Sequence, residues 1–272
     1  STMQITSAMK MVSAAKLKKA QDAIEQMRPF SSKLQDIIAN VSATLDSSEG
    51  PFSQEREVKK MLIVPVTSNR GLCGGFNSGV IKEVNAIIEN NKGADVSLFT
   101  IGKKSTAAYK KTNMVKGDDI EIWNDLTFAN ASDIAEQLMT EYLEGKWDKI
   151  VLVYNRFKNA ATQVVTAEQF LPISSSEESN TDSAATGDYI YEPQKEEILN
   201  ILIPKSLKTQ VFKVLLDSQA SEHGARMTAM HKATDNATEL RDGLKLDYNK
   251  ARQAAITNEI LEIVGGAEAL AG

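Results

Sequence analysis

Both ends of this chain are written in a repeat of seven. From Leu17 the apolar positions run Leu17, Ala20, Ile24, Met27, Ser31, Leu34, Ile38, Val41 and Leu45, stepping three and four in alternation, with Ser31 the only polar member. A stripe with that period is a coiled-coil seam, which needs a second helix along its length. Upstream, Ile5, Ala8, Val12 and Ala15 take the same steps in a different phase, so the seam is expected to shift near Ala15 to Leu17 and to change its partner surface there. Pro29 removes one backbone hydrogen bond inside the pattern and should bend the helix locally. Breakers cluster from Asp46 to Pro51, where the helix is expected to end.

The other end mirrors the first. After Pro204 the remaining 68 residues contain no proline, and Met230, Ala233, Ala237, Leu240, Leu244, Asp247, Ala251 and Ala254 again step three and four. Ile256, Ile260, Ile263, Ala267 and Leu270 continue in a new phase. Some 60 helical residues make a rod of roughly 90 Å. A compact chain of 272 residues has a radius of gyration of about 19 Å, so the rod must project. The N-terminal helix is its expected partner, antiparallel if both leave the same body.

Between the rods the pattern changes to α/β. The buried run Met61 to Val66 leads into a glycine-rich turn, Ser68 to Gly75, and then into a helical pattern through Val80, Val84, Ile87 and Ile88. Val96 to Ile101 precedes the helix-prone stretch Lys103 to Lys111, and a helix near Ser132 to Leu143 precedes the run Lys149 to Tyr154. Such alternation predicts a small, mostly parallel, Rossmann-like sheet with helices packed on it. Ser174 to Asp188 is polar and reads as a loop. The expected organisation is a coiled-coil helix over 1–50, an α/β body over 51–204 and a second coiled-coil helix over 205–272.

Chemistry-bearing motifs are sparse. The turn Gly71-Leu72-Cys73-Gly74-Gly75 lacks the GxGxxG spacing of a dinucleotide fold, and Gly102-Lys103-Lys104-Ser105 lacks the glycine and hydroxyl of a Walker loop. The turn is expected to use its glycines for positive φ. His223 and His231 lie too far apart on one helix to share a metal and read as surface or inter-helix residues. Cys73 is the single cysteine, which excludes an internal disulfide and fits a packed thiol. No apolar run approaches the about 20 residues that span a bilayer. With 31 basic against 36 acidic residues the chain is not a general nucleic-acid coat.

Two features of the rods ask for partners. Lys10, Lys16, Lys18 and Lys19 precede the first acidic residue, Asp22, forming a basic collar that suits an acidic protein surface. Ile260 to Gly272 carries only Glu262 and Glu268 among small and apolar residues, where a free rod tip is usually polar. Such a tip should fray or sit in an apolar sleeve made by other chains.

Three blocks carry a family resemblance: Ile5 to Lys16 (ITSAMKMVSAAK), Ser68 to Asn77 (SNRGLCGGFN), and Ala251 to Ile260 (ARQAAITNEI) continuing to Glu262 to Ala267. In order and spacing the chain resembles the gamma subunits of F-type ATP synthases. The resemblance implies a non-catalytic rotor shaft that binds no cofactor, with ATP or ADP and Mg held by alpha and beta partners. It implies a rod inserted in an alpha3beta3 ring, a foot beside epsilon on the c-ring of Fo, and no nucleic-acid partner. The implied location is peripheral, on the cytoplasmic side of a bacterial inner membrane. By motif match, Arg252, Gln253, Thr257 and Glu259 are expected to bond to loops of beta and alpha. Met9, Lys10, Lys16 and Lys18 are expected to face an acidic lever of beta, and Ile263 and Leu270 belong to the apolar tip. The chloroplast-type regulatory cysteine pair has no counterpart. Two other readings, a coiled-coil chromosome-organising scaffold and a Rossmann oxidoreductase, would need a nucleotide head, a strongly basic surface or a cofactor fingerprint.

Overall fold

In the computed structural model the chain forms five helices and five strands among the described residues, which are 1–42, 51–54, 56–173 and 195–272. The expectations at Leu45, at Asp46 to Gly50 and at Ser174 to Asp188 lie outside them, as do the side chains of Ile38 and Val41.

The first helix, α1, spans Thr2–Ser42 with Pro29 inside it. The last, α5, spans Lys195–Ala271, 77 residues, about 115 Å of helix. It has already begun before Pro204, which lies within it. The two helices run antiparallel: Phe30 meets Lys205 at one end, and Met3 meets Thr238 and Arg241 at the other.

Between them lie β1 (Lys60–Pro65), α2 (Phe76–Asn90), β2 (Asp95–Ile101), α3 (Lys103–Tyr109), β3 (Val115–Asp119), α4 (Phe128–Leu143), β4 (Lys149–Phe157) and β5 (Gln163–Leu171). The sheet order is β3-β2-β1-β4-β5, with every pair parallel except the β4–β5 hairpin. Because side chains alternate across a strand, each inner strand feeds two cores. Leu62, Val64, Leu152 and Tyr154 pack with α4 and with Leu207, Val211, Val214 and Leu215 of α5. Met61, Ile63, Val151 and Val153 pack with Val80 and Val84 of α2 on the other face. The lower part of α5 is therefore both a layer of the body and the root of the rod. Gly102, at φ 91 beyond β2, is required as glycine, since a Cβ would stand 2.1 Å from the Thr67 carbonyl oxygen.

The seam between α1 and α5 departs from the hydrophobic pattern. Leu17, Ala20 and Ile24 are buried as expected, and the same stripe continues upward without a change of phase through Ser13, Lys10, Thr6 and Met3. There is no shift near Ala15. Ile5, Ala8, Val12 and Ala15 face outward instead, with Ile5 59% and Val12 58% exposed. The reason lies in the polar pairing of the upper seam. Thr234 Oγ1 donates to Thr6 Oγ1 at 2.8 Å, Thr238 Oγ1 donates to Met3 Sδ at 3.3 Å, and Lys10 Nζ stands 3.4 Å from His231 Nδ1.

The expected C-terminal seam is corrected likewise. Met230 is buried and Ala233 and Ala237 half-buried, but Leu240 and Leu244 are exposed, and the α1 residues at this level, Thr6 and Met3, turn to Thr234, Thr238 and Arg241 instead.

Candidate functional site

Two surfaces concern function: the bare upper rod, and the joint where the rod leaves the body.

Every described side chain of α5 from Lys250 onward is exposed. At about 1.5 Å per residue this is roughly 30 Å of unaccompanied helix. Arg252, Glu259, Ile263 and Leu270 are spaced seven, four and seven, so they fall along one line of the helix, whereas Gln253 and Thr257 lie about 100° and about 140° round from it. Ile263 is 71% and Leu270 92% exposed. Within α5 the only bond of this group is local, Thr257 Oγ1 donating to the Gln253 carbonyl at 2.9 Å. A helix whose outward residues are Ile256, Ile260, Leu261, Ile263 and Val264 presents the apolar surface expected of an interface helix.

The collar residues lie far below that group. Met9 is half-buried, and Lys10 is engaged with His231. Lys16 is exposed and acts electrostatically on Glu222 and His223 of α5. Lys18 is not unpaired, because its Nζ lies 2.8 Å from Asp22 Oδ1 one turn on. His231 and Lys10 share one level of the rod and Arg252 stands about 32 Å further along, so the structure keeps the two expected contact groups apart.

The joint was not legible as a site. At its centre Arg226 Nη1 donates to Glu222 Oε1 at 2.7 Å, with the two side chains only 10% and 12% exposed. The rest of the guanidinium serves the glycine-rich turn: Nη2 donates to the carbonyls of Arg70 at 3.0 Å and Gly71 at 3.3 Å. The left-handed positions of that turn are Leu72 at φ 63 and Gly74 at φ 55, so one of the two is not a glycine, contrary to the sequence expectation. This conformation turns Cys73 inward, where it packs with Phe76 and Ala225 and accepts from Asn77 Nδ2 at 3.1 Å. Burial pushes the Cys73 thiol up, which makes it a packed thiol rather than a nucleophile.

The electrostatics follow from enclosure. Burial raises the Glu222 carboxyl, opposed by Arg226 and then by Lys16 and Arg70. Burial, assisted by Arg226 and Lys16, lowers His223 to about 4, and its Nδ1 has no hydrogen-bond partner among the described residues. Removing either member of such a pair alone strands a buried charge, at about 3–5 kcal/mol.

Among the described residues no group of His, Cys, Asp and Glu has the geometry to hold a metal ion, and no helix is long and apolar enough to cross a membrane. A cavity of about 460 Å³ is an open acidic groove at β3 and α4 lined by Asp118, Asp119, Glu121 and Asp133.

These features define a class: an axle protein, in which an α/β body is keyed to a long two-helix rod whose far end is bare. Comparison with known proteins agrees. The ATP synthase family model matches residues 1–270. The ATP synthase gamma chain of Flavobacterium johnsoniae is 62% identical over all of this chain and 95% of its own length, and that of Cytophaga hutchinsonii 51% identical over 99% and 94%. A chain in the central stalk and c-ring structure of the Tetrahymena thermophila mitochondrial ATP synthase superposes with a TM-score of 0.64 at 29% identity, covering 85% of this chain and 99% of its own. A chain from a Euglena gracilis mitochondrial ATP synthase structure shares the fold, with a TM-score of 0.60 at 20% identity. The chain belongs to the ATP synthase gamma-chain family.

Proposed function

We propose that this chain is the central rotor stalk of a rotary ATP synthase: its rod turns inside an alpha3beta3 ring, and its body rests with epsilon on the c-ring. The observation that carries this reading is the contrast along α5, which is built into the body below and left bare, with exposed Ile and Leu, above. A helix in that state is half of an interface.

The rod has no threefold symmetry, whereas a ring of three alpha–beta pairs does. Each beta subunit therefore meets a different face of the rod, and turning the rod exchanges those faces. Energy passes only where each orientation changes the relative stability of beta conformations, since a partner with no differential interaction shifts no equilibrium. In this reading Arg252, Gln253, Thr257 and Glu259 supply directional bonds to alpha and beta loops, and Ile263 and Leu270 turn in the apolar sleeve. Met9, Lys10, Lys16 and Lys18 meet the acidic lever of beta. The outward stripe Ile5 and Val12 extends that contact, because the polar upper seam leaves it uncovered.

The chain itself performs no catalysis and binds no nucleotide in this reading, and it is peripheral on the cytoplasmic face of a bacterial inner membrane. Purification of the tagged chain from its native membrane tests the assignment. Alpha, beta and epsilon subunits should accompany it in stoichiometric amount, and Met9→Cys should cross-link to the beta lever. Recovery of the chain alone, or nucleotide binding by the chain alone in calorimetry, counts against it.

A further inference from the structure

A shaft that carries torque must be prevented from twisting about its own axis where it leaves its foot. Interlocked apolar side chains hold a helix in place, but hydrogen bonds resist rotation more sharply, because they fail once stretched or misaligned by modest amounts. A twist of about 20° moves a side-chain atom about 5 Å from the axis by nearly 2 Å, enough to break any of them. The question is whether α5 has such bonds on more than one side at one level.

It has them between Ser221 and Thr228. On one side Arg226 grips the carbonyls of Arg70 and Gly71, with Glu222 holding the guanidinium in place. On another, Thr228 Oγ1 shares its proton between the Ala160 carbonyl at 3.2 Å, in the turn of the β4–β5 hairpin, and the Gly224 carbonyl of its own helix at 3.1 Å. Gly224 lets that turn approach, since a Cβ there would stand 3.1 Å from the Ala160 oxygen. Between these two, Ser221 Oγ donates to the Asn155 carbonyl at 2.9 Å, and Asn155 Nδ2 donates to the Phe76 carbonyl at 3.0 Å. At 3.6 residues per turn, Gly224 and Arg226 stand about 200° apart by the long way round. The arc between them carries the bonds, and α1 covers the remainder through Leu17 and Ala20 packed on Leu216 and Ala220.

We propose that Ser221 to Thr228 is the torque joint of the shaft, and that Arg226 and Thr228 are positioning residues that key α5 against slip relative to the body. This rests on the rotor reading. The expectation is specific to load: without the keys the rod still turns in its ring when nothing opposes it, but twists at its root when the foot must drive ion transport.

The test uses the complete complex reconstituted in vesicles, comparing ATP hydrolysis with ATP-driven ion pumping. Because a lone buried charge would disturb folding, the pair is replaced together as Glu222→Leu with Arg226→Met, which keeps the packing and removes the grip on the turn. Hydrolysis should stay within about twofold of the parent while ions pumped per ATP fall by about threefold or more. Thr228→Val, which removes the opposite key with no buried charge, should move the same ratio in the same direction and serves if the pair variant fails to assemble. A covalent key should restore coupling. The Cβ of a residue at 74 would stand 4.0 Å from Ala229 Cβ, within disulfide reach though at a φ of 55 that strains any side chain, so Gly74→Cys with Ala229→Cys and Cys73→Ser in the pair variant should recover pumping on oxidation relative to the same cysteine variant reduced, which carries the same strain. A pumping ratio unchanged in both the pair and Thr228→Val variants, or hydrolysis and pumping lost in equal proportion, overturns the joint. A parent complex that neither assembles around this chain nor pumps ions overturns the rotor reading instead.

Discussion

The lower and upper parts of α5 are one continuous helix in opposite surroundings. Leu215 is fully enclosed between the sheet and α4, whereas Ile263 has no neighbour outside its own helix and is 71% exposed. Both are apolar and both sit on a helix that nothing interrupts. What differs is the partner: the first has its partner in this chain, the second must find it in another. An apolar residue on a helix is thus no evidence of a core until the covering surface is known.

The comparison breaks most easily at Leu215. Leu215→Ala should destabilise the isolated chain by about 2–5 kcal/mol, because the residue is wholly buried and its neighbours on β1 and β4 cannot collapse into the space. Ile263→Ala should change it by less than about 0.5 kcal/mol, there being no packing to lose. Denaturant unfolding of both variants measures the difference. Equal effects would mean that the tip is covered within the chain.

The second prediction concerns the bare half in the complex. Arg252→Ala with Gln253→Ala should lower the coupled ATPase rate of the reconstituted complex by about three- to tenfold, the size expected for losing a few interface bonds. The helical circular dichroism and unfolding midpoint of the isolated chain should not move. An unaltered rate removes these two residues from the interface.

Much of this architecture was legible, and the failures have physical causes. The buried runs Met61 to Val66, Val96 to Ile101 and Lys149 to Tyr154 became β1, β2 and β4, since inner parallel strands are covered on both faces and read as continuous apolar segments. The strands β3 and β5 were missed because they are the edges: Val115-Lys116-Gly117-Asp118-Asp119 carries the charges that protect an exposed edge, and Gln163 to Leu171 is only half-buried along most of its length. The upper rod misled for the opposite reason. Its apolar stripe, Ile5 to Ala15, is the outer face, and its inner face is Thr6, Lys10 and Ser13, so hydrophobic periodicity selected the wrong side. Glu222 and Arg226 were invisible as a joint because an i,i+4 ion pair is common on any helix surface. What makes this one exceptional is enclosure by a turn more than 150 positions earlier in the chain.

A third prediction probes the joint through His223, on which Arg226 and Lys16 of α1 act electrostatically. Its folded value, about 4, lies below its ordinary 6.5, so the unfolded chain binds the proton more readily. The stability it protects is complete above about pH 6.5 and is lost as pH falls toward about 4. Glu222, raised by burial, works in the opposite sense, since its carboxyl takes up a proton in the folded state first. Comparing the parent with His223→Gln isolates the histidine, because both retain Glu222. The parent should lose stability more steeply than the variant between pH 6.5 and 4 in urea titrations. Parallel slopes would place His223 in solvent.

The smallest effect separates the two meanings of a surface charge. Lys18 pairs with Asp22 across one turn, and both side chains are well exposed, at 74% and 48%. Water and salt screen such a pair, and its side chains lose freedom in making it, so Lys18→Ala should leave the unfolding midpoint of the isolated chain unchanged. On the proposed assembly the same lysine would belong to a collar that meets an acidic lever, where desolvation by the partner would strengthen their attraction. Association rates of the chain with the alpha–beta ring should then fall in Lys18→Ala, and fall less as salt is raised, since long-range steering is what added ions suppress. A rate insensitive to both substitution and salt would mean that Lys18 serves Asp22 alone, and the collar would reduce to Lys10, Lys16 and Lys19.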